Sequence, residues 1–173
     1  MSTPDLYVDL DGVLADFRGA ASKFWGMDIG TVWVHISPNQ WKKLKHEWPT
    51  FWADLPYEDH ALELWRVLAP HHPSILTALP ASWPEGQVGK YIWVKRKLPK
   101  WGYHPSQKFH AVRREDKQKF AKQPDGTPNI LVDDLERNVV EWNGAGGRAI
   151  HYVPGSSISM VKHTLEKLMK EWS

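Results

Sequence analysis

Short apolar runs at residues 6–8, 74–77, 109–112, 129–132 and 149–153 divide the chain, and each has the length of a buried strand. Between them the apolar positions recur with helical spacing, over 13–25, 37–48, 61–68, 82–98, 136–142 and 157–172. Two helix starts carry the same signature. In Ser37-Pro38-Asn39-Gln40 the serine is an N-cap, proline opens the helix and Gln40 closes a capping box. Ser82-Trp83-Pro84-Glu85 repeats the pattern. Leu62, Trp65 and Leu68 form one stripe, and Met160, Leu165, Leu168, Met169 and Trp172 are expected as the buried side of the last helix. Strands that alternate with helices imply an α/β fold with a parallel sheet and right-handed crossovers. Residues 17–56 hold helical signals and no strand. They read as a small helical cap inserted after the first strand, with 1–16 and 57–173 as the core domain.

Composition adds a few bounds. Hydrophobic residues make up 42% of the 173, which excludes a disordered chain. The absence of cysteine excludes disulfides and thiolate-held zinc. No run is long enough to span a membrane and the first residues are polar, so a cytoplasmic location is expected. Net charge is only +2, but 11 of the 22 Lys and Arg fall between Lys90 and Lys122, against two acids there. That segment reads partly as a solvated helix face and partly as an anion-attracting rim. Trp25, Trp65, Trp93 and Trp142 sit among apolar residues and are expected in the core.

The candidate chemistry lies at two strand ends. Asp9-Leu10-Asp11-Gly12 follows the first strand, and Asp133-Asp134 ends the fourth. Ligands of α/β sheets bind at the carboxyl ends of strands. Crowded carboxylates repel unless a cation or a proton sits among them. Four acids on neighbouring strands would form an oxygen-rich site suited to magnesium.

These motifs resemble those of the haloacid dehalogenase superfamily of phosphotransferases: Asp9-Leu10-Asp11-Gly12, then Ser74-Ile75-Leu76-Thr77, then Lys117, then Asp133-Asp134, in that order. The resemblance implies a Rossmannoid three-layer sandwich. It implies Asp9 as nucleophile, Asp11 as general acid and base, and Thr77 and Lys117 as phosphate ligands. Mg2+ would be held by Asp9, the Asp11 carbonyl and Asp134, with Asp133 as a water-mediated or orienting partner. Gly-Val-Leu-Ala-Asp-Phe after the first acids and Lys90-Tyr91-Ile92-Trp93-Val94 resemble the 5'(3')-deoxyribonucleotidase family more narrowly. That family implies Lys90 as a further phosphate ligand. It also implies cap aromatics against the base, here Phe51 and Trp52, with Trp48 and Trp41 as further candidates. Ala78-Leu79-Pro80 departs from the family's Ser-Pro, and Arg114 stands one position further from Lys117 than the family's arginine. The expected activity is magnesium-dependent hydrolysis of a small-molecule phosphomonoester, a (deoxy)nucleoside monophosphate. A polynucleotide 3'-phosphatase acting on a nucleic-acid end and a non-catalytic nucleotide-binding protein are the alternatives. The oligomeric state stays open, a dimer included.

Overall fold

The computed structural model describes residues 2–29, 36–45, 47, 49–79, 86–103 and 107–172. Five parallel strands lie in the order β3-β2-β1-β4-β5. They are β1 (Leu6–Val8), β2 (Ser74–Leu79), β3 (Phe109–Arg113), β4 (Ile130–Asp133) and β5 (Arg148–His151). The first strand is central, paired with β2 on one side and β4 on the other. The chain builds outward in both directions from β1, so the sheet reverses its strand order there. That reversal leaves a crevice at the carboxyl ends of β1 and β4, the usual ligand position in such sheets.

Side chains alternate across the sheet, as the period of two requires. Leu6, Val8, Ile75, Ile130, Val132 and Ile150 join one large core cluster. Tyr7, Leu76 and Leu131 face the other way, onto Trp142 and Ala121. Helices α4 (Ala61–Leu68), α5 (Gly86–Lys97) and α7 (Ile158–Lys170) contribute Trp65, Trp93, Val161 and Leu165 to the first cluster. Helix α6 (Glu136–Gly144) brings Trp142 to the second. Both faces are therefore covered, which suits near-continuous apolar strands such as Ile130-Leu131-Val132.

Residues 17–56 carry α1 (Phe17–Trp25), α2 (Pro38–Lys45) and α3 (Thr50–Ala53). The chain leaves and returns at one place: Asp16 N–H donates to the Pro56 carbonyl (2.9 Å) and Glu58 N–H to that of Leu14 (3.0 Å). The capping box of α2 is present in both directions, Ser37 N–H to Gln40 Oε1 (2.8 Å) and Gln40 N–H to Ser37 Oγ (3.3 Å). The second expected box, at 82–85, lies outside the described residues.

Two expectations shift. The first helix starts at Phe17 rather than Val13, because Asp16 caps it by accepting from Gly19 N–H (2.7 Å). Residues 10–15 form a tight loop instead, with Gly12 at φ 77°. In α7 Met160 is exposed and Val161 takes the buried place, in phase with Leu165 and Leu168.

Helix α5 packs on α3 through a glycine. A Cβ at Gly89 would lie 2.6 Å from both the Pro49 carbonyl oxygen and Trp52 Cβ. Gly89→Ala should therefore cost about 1–3 kcal/mol by overpacking. A urea midpoint unchanged from the parent protein would show that α3 yields freely.

Candidate active site

Strand register brings the acids together. Val8 pairs with Val132, and Asp9 N–H donates to the Val132 carbonyl (2.9 Å), so the residues after the two strands are neighbours. Asp9, Asp11, Asp133 and Asp134 are all buried. One carboxylate oxygen each of Asp9, Asp133 and Asp134 lie within 4.8 Å of one another.

Each acid is held by named donors. Asp9 Oδ1 accepts from the Leu10 N–H (2.8 Å) and from Lys117 Nζ (2.9 Å). Asp133 is saturated. Its Oδ1 accepts from Leu135 N–H (2.9 Å), its Oδ2 from Lys117 Nζ (2.7 Å), and Asn138 Nδ2 donates to both (3.0 Å). Asp11 Oδ2 pairs with Lys90, and Asp134 Oδ2 with Arg18. Asp11 Oδ1 and Asp134 Oδ1 are buried without a partner among the described residues. A buried oxygen left in that state is costly unless a proton or cation satisfies it.

Four carboxylates face three cations, and the excess shows in proton affinity. Burial pushes Asp9 up to about 7, with Asp133 and Asp11 adding to it and Lys117 opposing. Burial likewise pushes Asp134 up to about 8, reinforced by Asp9 and Asp133 and opposed by Arg18. For Lys117 burial alone would lower the value, but Asp133 and Asp9 outweigh it and hold the ammonium charged. A divalent cation would reverse the upward shifts of the acids. Hard oxygen donors, an orphaned oxygen on Asp134 and this surplus charge together fit a hard divalent cation.

Lys90 and Lys117 are 1% and 2% exposed, so neither is part of a solvated basic face. Lys90 completes the buried stripe of α5 with Gly86, Gly89, Trp93 and Val94. Its three ammonium hydrogens go to Asp11 Oδ2, Thr77 Oγ1 (3.0 Å) and the Ala78 carbonyl (2.6 Å). The lysine for which the resemblance implies a phosphate role thus has its ammonium hydrogens directed to groups of the chain. It ties Asp11 to Thr77 and stands 4.4 Å from the centre of the Trp52 ring. Thr77, fully buried in β2, accepts from Lys90 and so keeps its own hydrogen to donate.

Above the acids is a cavity of about 220 Å³ lined by Asp9, Asp11, Lys90 and Asp134 on its floor side. Phe17, Trp41, Trp52 and Leu79 give it an apolar wall, and Arg114 and Asn138 a polar one. Thr77, Lys117 and Asp133 are not among the lining residues, though Lys117 and Thr77 bond Asp9 and Lys90, which are. Of the expected base-stacking residues, Trp52 lines the cavity but is only 2% exposed, stacked on Phe17 at 5.0 Å and 6°. Phe51 packs edge-on against Phe17, Phe24 and Trp52 and is not in the lining. Trp48 lies outside the described residues. Trp41, half-buried and stacked on Phe17 at 6.1 Å, is the wall's more open ring. Sequence reasoning missed Phe17, Arg18 and Asn138. Asn138 carried a signal, a polar residue five positions after Asp133 on the inner side of α6.

Removing the Lys117 ammonium would leave Asp9 and Asp133 buried without their shared cation, a class of change that costs about 3–5 kcal/mol. Lys117→Met should lower the urea midpoint accordingly at pH 7.5, and less at pH 5, where the carboxylates can protonate. Equal midpoints for variant and parent would show that the ammonium does not hold the acids.

No family model matches the chain. A putative 5'(3')-deoxyribonucleotidase of Vibrio phage KVP40 is 31% identical over 153 residues, 86% of this chain and 75% of that protein. Among solved structures, a HAD family hydrolase from Deinococcus radiodurans, with bound phosphate and sodium, gives a TM-score of 0.56 at 13% identity, covering 96% of each chain. A HAD family enzyme from Bacteroides thetaiotaomicron, a magnesium complex, gives 0.52 at 15% identity, covering 93% of this chain and 98% of that one. The two structures match the sandwich and its parallel sheet. With the buried acids at the same strand ends that the motifs mark, the chain belongs to the haloacid dehalogenase superfamily of hydrolases and, within it, to the family of the phage protein.

Proposed function

We propose that the protein is a magnesium-dependent phosphomonoesterase acting on nucleoside monophosphates, deoxyribonucleotides first among them. The observation that carries this reading is one cavity with carboxylates on its floor and stacked aromatic rings on its wall. A phosphate needs the first and a flat base suits the second. The phage relative's description and the phosphate and magnesium of the two solved structures support the same substrate class and metal.

Asp9 is the nucleophile in this reading. Lys117 and the Leu10 amide hold its Oδ1, and no donor occupies Oδ2 among the described residues. Oδ2 attacks phosphorus, the bond to the ester oxygen breaks, and Asp11 Oδ1 delivers the proton that the leaving alkoxide needs. The aspartyl-phosphate is then opened by water, whose proton returns to Asp11, releasing inorganic phosphate and the Asp9 carboxylate. Lys90 fixes Asp11 through Oδ2, so the orphaned Oδ1 is the atom that exchanges the proton. Lys117 keeps one ammonium hydrogen beyond Asp9 and Asp133, and with the Thr77 hydroxyl it serves the phosphate oxygens. Asp9 and Asp134 would hold magnesium, which supplies positive charge to those oxygens, while saturated Asp133 orients Lys117.

Residues 17–56 act as a cap in this reading, supported by the closed chain crossing at Asp16–Pro56 and by the aromatic wall those residues supply. A mononucleotide is preferred over a nucleic-acid end. Two of the basic residues that suggested a polyanion guide, Lys90 and Lys117, are turned inward to the acids, and Arg114 is bound to Glu141 (2.7 Å).

The direct test is phosphate release with Mg2+ from a panel of deoxy- and ribonucleoside monophosphates, p-nitrophenyl phosphate and a 3'-phosphorylated oligonucleotide. Turnover of the monophosphates should vanish with chelator and fall by at least about 10³-fold in Asp9→Asn, which loses its nucleophile. Trp41→Ala should raise KM for nucleotides more than for p-nitrophenyl phosphate. Near-parental turnover in Asp9→Asn sinks the mechanism, and release from the oligonucleotide alone sinks the substrate assignment.

A further inference from the structure

We propose that Arg18 is a positioning residue for the metal ligand Asp134, clamping Oδ2 so that Oδ1 is the oxygen offered to the cation. The inference rests on the magnesium reading above and adds to it a residue outside the four motifs.

Asp134 is an asymmetric carboxylate. Arg18 Nη2 is paired with Oδ2, while Oδ1 is buried with no partner. Asp133 beside it has both oxygens filled by Leu135 N–H, Asn138 and Lys117. Of the adjacent pair, only Asp134 has an oxygen to give, and Arg18 determines which one. The backbone is pinned separately, since the Asp134 carbonyl is bonded to His151 Nε2 (2.9 Å). Arg18 therefore fixes what the backbone leaves free, the rotation of the carboxylate.

Where Arg18 stands points the same way. It lies in the first turn of α1, where a cation opposes the helix dipole and is normally unfavourable. No acidic residue shares that turn. Its side chain is only 13% exposed, so water does not offset the placement. The compensation is Asp134, together with the field of Glu58, whose carboxyl burial and Asp16 push up to about 7 while Arg18 opposes them. Gly12 makes the contact sterically possible. At φ 77° and without a Cβ it leaves room for the Asp134 carboxylate, and a Cβ there would also come within 3.1 Å of Arg18 Nη2.

Groups that orient a metal ligand in this way are commonly worth about 10–100-fold in metal affinity. The test is titration of the full chain with Mg2+, and with Mn2+ followed by electron paramagnetic resonance, comparing the parent with Arg18→Met, Arg18→Lys and Asp134→Asn. Arg18→Met should raise the Mg2+ Kd by about 10–100-fold, and Arg18→Lys by less, since an ammonium keeps the charge but not the planar fork. A purely structural arginine would lower the melting temperature in chelator and leave Kd unchanged, and that result overturns the proposal. So does tighter binding in Arg18→Met, which would make Arg18 a competitor of the metal. If Arg18→Met fails to fold, Arg18→Lys decides: a Kd raised roughly threefold or more supports the clamp, and an unchanged one overturns it. Asp134→Asn separates the layers. Parental binding in that variant removes the metal reading itself, whereas lost binding there beside parental binding in Arg18→Met removes only the clamp.

Discussion

Four carboxylates are buried where β1 and β4 end side by side, and much of the structure answers their repulsion. Lys117 bridges Asp9 and Asp133, Lys90 meets Asp11 and Arg18 meets Asp134. The three cations come from three separate elements: the 3₁₀ segment after β3, helix α5 and helix α1. Each of those elements is thereby tied to the junction of β1 and β4. Proton affinities record what is left over, with Asp9 and Asp134 pushed upward by burial and by their neighbours. In a fold whose net stability is a small residue of large terms, so concentrated a charge is a mark of a functional site.

The same cations do more than neutralise. Every one of them leaves one oxygen of its carboxylate uncommitted or, at Asp133, joins Asn138 in committing both. Chemistry is divided by that pattern. Asp9, Asp11 and Asp134 each keep an oxygen with no donor among the described residues, while both oxygens of Asp133 are filled. Preorganisation of this kind is what an active site contributes beyond its reagents, because the groups need not reorganise as charge moves.

Much of this was legible in the sequence because the signals were local. Apolar runs ending in acids gave the strands and their functional ends, and the Ser37–Gln40 box appears bond for bond. Lys117 and Lys90 stood out only through motif spacing. Their burial is a tertiary fact, since a lysine in a basic segment reads equally well as solvated. Phe51 and Trp52 were adjacent on the chain yet point to different jobs, one to packing among Phe17 and Phe24 and the other to the cavity wall. Helical phase from a four-residue α3 is too short to separate them. The onset of α1 was misplaced because 13–16 has helix-compatible spacing, and a side-chain cap at Asp16 overrode it.

Arg18 had the faintest trace of all. On the chain it is one basic residue after a recognisable motif, and only the helix boundary reveals that it sits in a first turn, against the dipole. Its partner is 116 residues away. Phe17 beside it contributes to the aromatic wall, so a single turn of α1 reaches both the acids and the cavity they line. A helix that starts at Phe17, capped by Asp16, rather than at Val13 is what makes this possible. Continuing the helix back to Val13 would consume the loop in which Gly12 makes room for Asp134, and the acids could not close around their cations.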